Sequence, residues 1–227
     1  MFATPVFHIG PIVITTTVVT TWGIMLLLTG LAWCVTHRLR LDPSPLQVVC
    51  EGIVDAIDKA IRDVLPEHSE RVLPFIATLW IFLVIANLSG IVPEMHAPTR
   101  DLSATSALAV LVFLSVHWFG ITTAGLRNYL RHYLAPNPIL LPFHLISEIT
   151  RILALAIRLF GNIMSLELAA LLVLLVAGFL APVPLLMLHI VEALVQAYIF
   201  GMLALIYVAG AMQAQQLRQS REEEEHV

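Results

Sequence analysis

The chain has 227 residues, of which 59% are hydrophobic and only 12% are charged. Its mean hydropathy of +0.88 is typical of proteins that cross a membrane several times and excludes an ordinary soluble domain. The formal net charge of -4 says little about partners, and we expect no nucleic acid among them. Cys34 and Cys50 lack the spacing of a metal site or a disulfide framework, so we predict no metal at these residues. We also predict no metal elsewhere and no cofactor.

Five apolar segments are each long enough to cross a bilayer, which takes about 20 helical residues. They are residues 12–35, 72–92, 105–125, 139–180 and 183–212. The first is too long for a signal peptide, and its basic residues follow it instead of preceding it, so we expect it to be retained. The last two exceed a perpendicular crossing. They predict a strongly tilted helix hairpin that turns at Pro182 and Pro184.

A different kind of helix is predicted between the first two spans, because Ser44 can cap it and Pro45 suits its first position. Its apolar side chains share one face and its charged side chains share the other. The apolar set is Leu46, Val49, Ile53, Ile57, Ala60 and Val64; the charged set is Glu51, Asp55, Asp58, Lys59 and Arg62. We interpret it as an amphipathic helix on the membrane surface. A short soluble hairpin helix is the alternative.

The chain is therefore predicted to be an all-α polytopic membrane protein with a single membrane domain, residues 1–227. Its parts are the first transmembrane helix (1–37), the amphipathic surface helix (44–66), the second and third transmembrane helices (71–125) and the tilted hairpin (139–217).

The basic residues predict the orientation of the chain, because they concentrate in cytoplasmic loops. One set of loops and the C-terminal end hold nine of them: Arg38, Arg40, Lys59, Arg62, Arg71, Arg127, Arg131, Arg218 and Arg221. Only Arg100 falls in the opposite set. We expect five crossings of the inner (plasma) membrane, with the N-terminus outside and the C-terminus in the cytoplasm.

The fourth and fifth spans each carry a stripe of polar residues at helical spacing. The fourth contains Glu148, Arg151, Arg158, Asn162 and Ser165, and the fifth contains His189, Glu192, Gln196 and Tyr207. Glu167 also lies in the fourth span but points elsewhere. Because ionisable groups in hydrocarbon are costly, these stripes should face each other, backbone carbonyls or water, which indicates an ion pathway.

The ionisable residues of the stripes divide by what they can do with a proton. Glu167, His189 and Glu192 can each take up and release one. Arg158 keeps its charge, so it cannot relay a proton and instead blocks passage or attracts a carboxylate.

Several of these residues also have simpler interpretations. His189 suits helix packing, Gln196 an interhelical hydrogen bond, Gly161 close packing, and Arg151 an extended position at the cytoplasmic interface. His117 has no partner stripe, and we expect it to be structural. For Arg158, deep in an apolar span, the functional interpretation is favoured.

The motif Arg-Leu-Phe-Gly-Asn at 158–162 resembles the signature of subunit a of F-type rotary ATP synthases, in a bacterial and N-type-like form. Lesser motifs at 6–10, 87–93, 98–105 and 196–200 resemble other parts of that family in the same order. The resemblance implies the static half of a membrane ion channel. Its partners would be a ring of c subunits, the peripheral-stalk b subunits, the rest of the complex and membrane lipid.

The resemblance also implies roles for individual residues. Arg158 would face the carboxylates of the ring and keep two offset half-channels apart, with Gln196 beside it. Asn162, Glu167 and His189 would line the half-channel open to the outside, and Glu192 is an extra acid one helical turn beyond His189. Glu148, Arg151, Asp101 and Tyr207 are secondary candidates. This chain departs from the family where Ile152 replaces a proline and Ser103 replaces an asparagine.

Three alternatives stay open from the sequence. The coupling ion can be Na+ instead of H+, since that choice depends mainly on the ring. A stand-alone secondary transporter would be expected to show paired repeats and broken helices, which are absent from the sequence. An intramembrane metalloprotease would need ligand spacing that His189 and Glu192 alone do not supply. No phosphate-binding glycine loop is present, so we expect no enzyme activity in this chain alone, and ATP chemistry would belong to partner chains.

Overall fold

The computed structural model describes residues 5–9, 12–37, 45–92, 95, 97–125, 141–178 and 183–225. Within these residues, a two-stranded antiparallel hairpin precedes six α-helices. The strands are β1 (Pro5–Ile9) and β2 (Ile12–Thr15), and the helices are α1 (Thr16–Thr36), α2 (Pro45–Val64), α3 (Ser69–Leu88), α4 (Leu102–Ala124), α5 (Leu141–Ala177) and α6 (Val183–Glu225). Two 3-10 turns, Ser89–Ile91 and Pro98–Arg100, lie between α3 and α4.

The prediction of an all-α membrane fold is confirmed apart from the short N-terminal hairpin. Five helices in the described part of the chain are long and apolar enough to cross a membrane: Thr16–Thr36, Ser69–Ile91, Leu102–Thr123, Ile146–Val176 and Val183–Gln213. The first span was predicted to begin at residue 12. The helix begins at Thr16 because residues 12–15 pair with β1.

The long final hairpin consists of α5, with 37 residues, and α6, with 43. At about 1.5 Å per residue both helices exceed the roughly 30 Å of hydrocarbon that one crossing requires. Such lengths fit the predicted strong tilt. Pro182, at the predicted turn of this hairpin, lies outside the described residues. Four of the basic loop residues, Arg38, Arg40, Arg127 and Arg131, also lie outside them. The orientation of the termini stays a prediction.

The buried core lies among α3, α4, α5 and α6, with a contribution from the end of α2. Lipid tails are as apolar as leucine, so helices in a membrane associate through close packing, for which small residues are suited. On α6, Ala193, Ala197 and Gly201 recur every four residues and are all buried. This spacing places them on one face, where neighbouring helices can approach closely.

Helix α1 is held much more loosely than the other transmembrane helices. Of its residues, only Ile24 is buried. A cavity of about 590 Å³ separates it from α3 and α4. A polar contact fixes its N-terminal end, where the Thr17 hydroxyl donates to Asp101 Oδ2 at 3.1 Å.

Helix α2 has the amphipathic character that the sequence predicts. Its C-terminal end packs into the core through Ile61, whereas Leu46, near its N-terminus, is 74% exposed, and Val49 and Ile53 are also exposed. On the charged side, Asp58 pairs with Arg62 at 2.8 Å, and this hydrogen-bonded carboxylate raises the pKa of Arg62. The uncovered apolar end suits a membrane surface, which stays a prediction. The predicted cap Ser44 lies outside the described residues.

Candidate functional site

The polar stripes of α5 and α6 meet in the middle of the hairpin. Asn162 Nδ2 donates to Gln196 Oε1 at 2.7 Å, across 34 residues of sequence. Gln196 is only 2% exposed, so this bond lies between the two helices. We call Asn162 and Gln196 the central pair. The interhelical hydrogen bond that was one interpretation of Gln196 is thus present.

Arg158 lies one helical turn before Asn162, and its side chain is exposed. No hydrogen bond or ion pair connects it to another side chain in the described part of the chain, which leaves its charge uncompensated there. Exposed apolar side chains also lie on these two helices, among them Leu153 and Ile157 on α5 and Val195 on α6. A permanent cation therefore lies on an apolar helical surface, where a charge is costly without a partner from outside the chain.

Arg158 and Gln196, which the resemblance places side by side, differ in exposure. Arg158 is exposed, whereas Gln196 is buried and bonds to Asn162, one helical turn from Arg158. Gly161 lies on the same exposed side, and a Cβ built on it would meet nothing within 4 Å. The close packing considered for Gly161 does not occur within the described part of this chain.

A second group of polar residues, the arginine cluster, consists of Glu148, Arg151 and Tyr207. Arg151 Nη1 lies 3.3 Å from Glu148 Oε1, three residues earlier on α5. The guanidinium carbon of Arg151 also lies 4.4 Å from the centre of the Tyr207 ring on α6, a cation–π contact. Arg151 is therefore held between two helices.

A third group, the histidine cluster, consists of His189, Asn87 and Thr99. His189 is 8% exposed, and a Cβ built on Gly90 would lie 3.6 Å from its Nε2 atom. Asn87 Nδ2 donates to the carbonyl of Ala193 at 3.2 Å. The Thr99 hydroxyl donates to Asn87 Oδ1 at 2.8 Å. The cluster thus joins α3, the Pro98–Arg100 turn and α6.

Two nitrogen atoms at these sites are buried without a hydrogen-bond partner among the described residues: His189 Nε2 and Gln196 Nε2. Buried polar groups are nearly always paired, and an exception in a native structure calls for a functional or hydration role. Both atoms lie on the face of α6 that the sequence identifies as polar.

The remaining predicted residues are placed less decisively. Glu192 is partly buried on α6, and the side chain of Glu167 lies outside the described residues. Asp101 acts as the N-cap of α4, since its Oδ1 accepts from the backbone N–H of Ser103 at 3.0 Å.

His117 lies 2.9 Å from the carbonyl of Phe113, one turn earlier on α4, as suits a structural histidine. In the described part of the chain, no group of three or more His, Cys, Asp or Glu could hold a metal ion.

Sequence reasoning did not identify Asn87 and Thr99 as site residues. The available signal was an amide within an apolar span, the same signal that identified Asn162. Asn87 was noted only as part of a motif, because its partners are a backbone carbonyl and a turn hydroxyl that no helical periodicity reveals.

Comparison with known proteins gives consistent matches. The family model described as ATP synthase A chain matches residues 18–209. ATP synthase subunit a 2 of Pelobacter propionicus is 66% identical over 219 residues, which cover 96% of each chain. ATP synthase subunit a 1 of Hahella chejuensis is 64% identical, over 93% of this chain and 90% of the relative. ATP synthase subunit a of Legionella pneumophila is 58% identical, over 95% and 94%.

Proposed function

The chain belongs to the ATP synthase A chain family, the subunit a of F-type ATP synthases, and from that premise we propose that it forms the static side of the ion path. It is a multi-pass membrane protein of the ATP synthase complex. Its proposed task is to pass H+ to and from the carboxylates of a rotating c ring through two offset half-channels. This assignment replaces the alternative hypothesis of a stand-alone transporter.

The exposed side chain of Arg158 is the observation that carries the proposal. Its guanidinium lies on an apolar helical surface and has no ion-pair partner among the described residues. A ring carboxylate that arrives opposite this charge is stabilised in its ionised form and therefore releases its proton. Because arginine does not deprotonate, protons cannot leak directly past it from one half-channel to the other.

The positions of the clusters support two half-channels. Along α6, His189 and Tyr207 are 18 residues apart, about 27 Å in a helix, which approaches the thickness of the hydrocarbon region. The central pair lies between them, one turn from Arg158. In the proposed mechanism, the histidine cluster, Asn162, Glu167 and Glu192 line the half-channel open to the outside. The arginine cluster lies at the cytoplasmic one.

The energetics require partner chains. A membrane potential supplies about 2.3 kcal/mol per charge per 100 mV, so several ions must cross for each ATP. Rotation of a ring accumulates these steps, and the peripheral stalk holds the static side against it. Nucleotide chemistry belongs to those partners, and this chain is proposed to have no enzyme activity alone.

The decisive experiment replaces Arg158 by alanine in the complete complex and measures ATP-driven proton uptake into inverted membrane vesicles. We expect uptake to be abolished while the complex still assembles, because the variant has lost the charge that ionises the ring carboxylates. Arg71→Ala is the matched control, since Arg71 is an exposed arginine at the start of α3. Substantial ATP-driven uptake by the Arg158 variant would refute the proposed role.

The coupling ion is tested in the same vesicles. Uptake is measured with and without Na+, and a protonophore is then added. Primary proton transport predicts uptake that does not require Na+ and collapses with the protonophore. Sodium uptake that persists with the protonophore would instead identify Na+ as the coupling ion.

A further inference from the structure

Helix α3 packs against α6 through Trp80, a residue outside the polar stripes. Trp80 is only 6% exposed. Its indole N–H donates to the carbonyl of Tyr198 at 3.2 Å. The indole also stacks on the Tyr198 ring, with the ring centres 5.8 Å apart and the planes 7° from parallel. Trp80 therefore contacts both the backbone and a side chain of α6.

This contact between Trp80 and α6 depends on the absence of a side chain at Gly201. A Cβ built on Gly201 would overlap the Trp80 indole. Gly210, further along the same helix, has nothing within 4 Å of the corresponding position. The bulk of Trp80 on α3 thus matches a notch at Gly201 on α6, and the notch exists only because position 201 is glycine.

The Trp80 contact and the Asn87 contact lie on either side of Gln196. Asn87 bonds to Ala193, before Gln196, and Trp80 bonds to Tyr198, after it. The order of contacts is reversed along the two helices, so α3 and α6 run antiparallel. Helix α3 therefore holds the segment with Gln196 at two points and limits its movement along the helix axis.

A fixed position of α6 matters for the central pair. The bond between Asn162 and Gln196 is 2.7 Å long, and a slip of α6 by one residue is about 1.5 Å. A displacement of that size would break the bond, because hydrogen bonds weaken steeply beyond about 3.2 Å. Asn162 lies one turn from Arg158, so the side of α5 that carries Arg158 would lose its support.

We infer that Trp80 and Gly201 are positioning residues for ion translocation: their contact sets the position of α6 against α3 and so holds Gln196 on Asn162 beside Arg158. The inference rests on the proposed function of Arg158. In this inference, α3 holds α6 in place while ions move past it, although α3 contributes neither residue of the central pair.

The test uses the complete complex in inverted vesicles and compares Gly201→Ala with Gly210→Ala, its matched control on the same helix. Two quantities are measured: the amount of assembled complex, and proton uptake per ATP hydrolysed. We expect Gly201→Ala to lower uptake per ATP roughly tenfold, because the added methyl group pushes α6 off Trp80. Gly210→Ala should match the parent.

A double variant separates positioning from general packing. In Trp80→Ala with Gly201→Ala, the overlap is relieved but the contact with Tyr198 is also lost, so we expect uptake per ATP to stay at least twofold below the parent. The inference is overturned if Gly201→Ala has the parental uptake per ATP, if it lowers only the amount of complex, or if the double variant matches the parent.

If Gly201→Ala fails to assemble, Trp80→Phe gives the answer, since it keeps an aromatic ring but removes the N–H that reaches Tyr198. A two- to threefold fall in uptake per ATP is then expected, and a parental value overturns the inference. The proposed function fails in a different way, through an Arg158 variant that still pumps. Loss of pumping in that variant combined with parental Gly201→Ala would reject only the positioning role.

Discussion

The histidine cluster and the arginine cluster lie near opposite ends of the crossing part of α6 and are built differently. In the first, uncharged hydrogen bonds join α3, the Pro98–Arg100 turn and α6, and Asn87 and Thr99 are fully buried. In the second, two charged side chains three residues apart on α5 pair with each other, and they are 36% and 18% exposed. One cluster connects separate elements, whereas the other is mostly local.

This difference has energetic consequences. A buried hydrogen bond leaves an unsatisfied group behind when one partner is removed, which costs about 1–3 kcal/mol. An ion pair between residues three apart on one helix contributes only about 0.2–0.5 kcal/mol. The histidine cluster should therefore tolerate little change, while the arginine cluster should tolerate substitution. The same contrast is expected in ion transport, if the first cluster guides protons and the second mainly supplies local charge.

Within the two clusters, the largest effect is expected at His189. Glutamine keeps a polar side chain there but cannot exchange a proton near neutral pH. We expect His189→Gln to lower ATP-driven proton uptake per complex by about tenfold, the loss expected when a positioned acid–base group is removed and water substitutes in part. The measurement is the initial rate of uptake in inverted vesicles.

His117→Gln is the matched control, because His117 is a histidine in a crossing helix whose ring contacts its own helix at Phe113. It should retain the parental rate. If His189→Gln and the control both pump normally, His189 does not exchange protons, and the outer half-channel is misplaced.

A smaller effect is expected at Asn87. Alanine at this position removes the donor to Ala193 and the acceptor for Thr99 together. We expect roughly fivefold slower uptake and less assembled complex, because two buried groups lose their partner. Uptake is measured per complex, with the amount of complex determined separately.

The control for Asn87 is Thr78→Val. Among the described residues, the Thr78 hydroxyl bonds only to its own helix, at the carbonyl of Pro74 at 2.7 Å, so its loss should change neither quantity. Parental uptake and assembly by Asn87→Ala would show that the buried hydrogen bonds of the histidine cluster are not required, and would remove the contrast with the arginine cluster.

The sequence was sufficient to predict the crossing helices and the side of each that carries polar residues. Mean hydropathy and segment length define a span, and a spacing of three or four residues defines a face. Facing stripes on α5 and α6 followed from the cost of isolated polar groups in hydrocarbon. The bond between Asn162 and Gln196 and the contact of Arg151 with Tyr207 are the observed result.

What could not be predicted depends on contacts between distant segments. Trp80 and Tyr198 are 118 residues apart, and the acceptor is a backbone carbonyl that every residue possesses. The notch at Gly201 is visible only when the tryptophan that fills it is in place. Similarly, residues 12–15 resemble the apolar helix that follows them, and only their pairing with β1 makes them a strand.

The smallest effect is expected at Tyr207, in the arginine cluster. Tyr207→Leu removes the ring that lies 4.4 Å from the Arg151 guanidinium. A partly exposed cation–π contact contributes about 0.5–1 kcal/mol, so we expect uptake per complex to fall only about twofold. Tyr207→Phe keeps the ring face and should match the parent, which separates the cation–π contact from the hydroxyl. A tenfold loss in Tyr207→Leu would make proton uptake as sensitive to substitution in the arginine cluster as in the histidine cluster. The proposed difference between the two clusters would then be wrong.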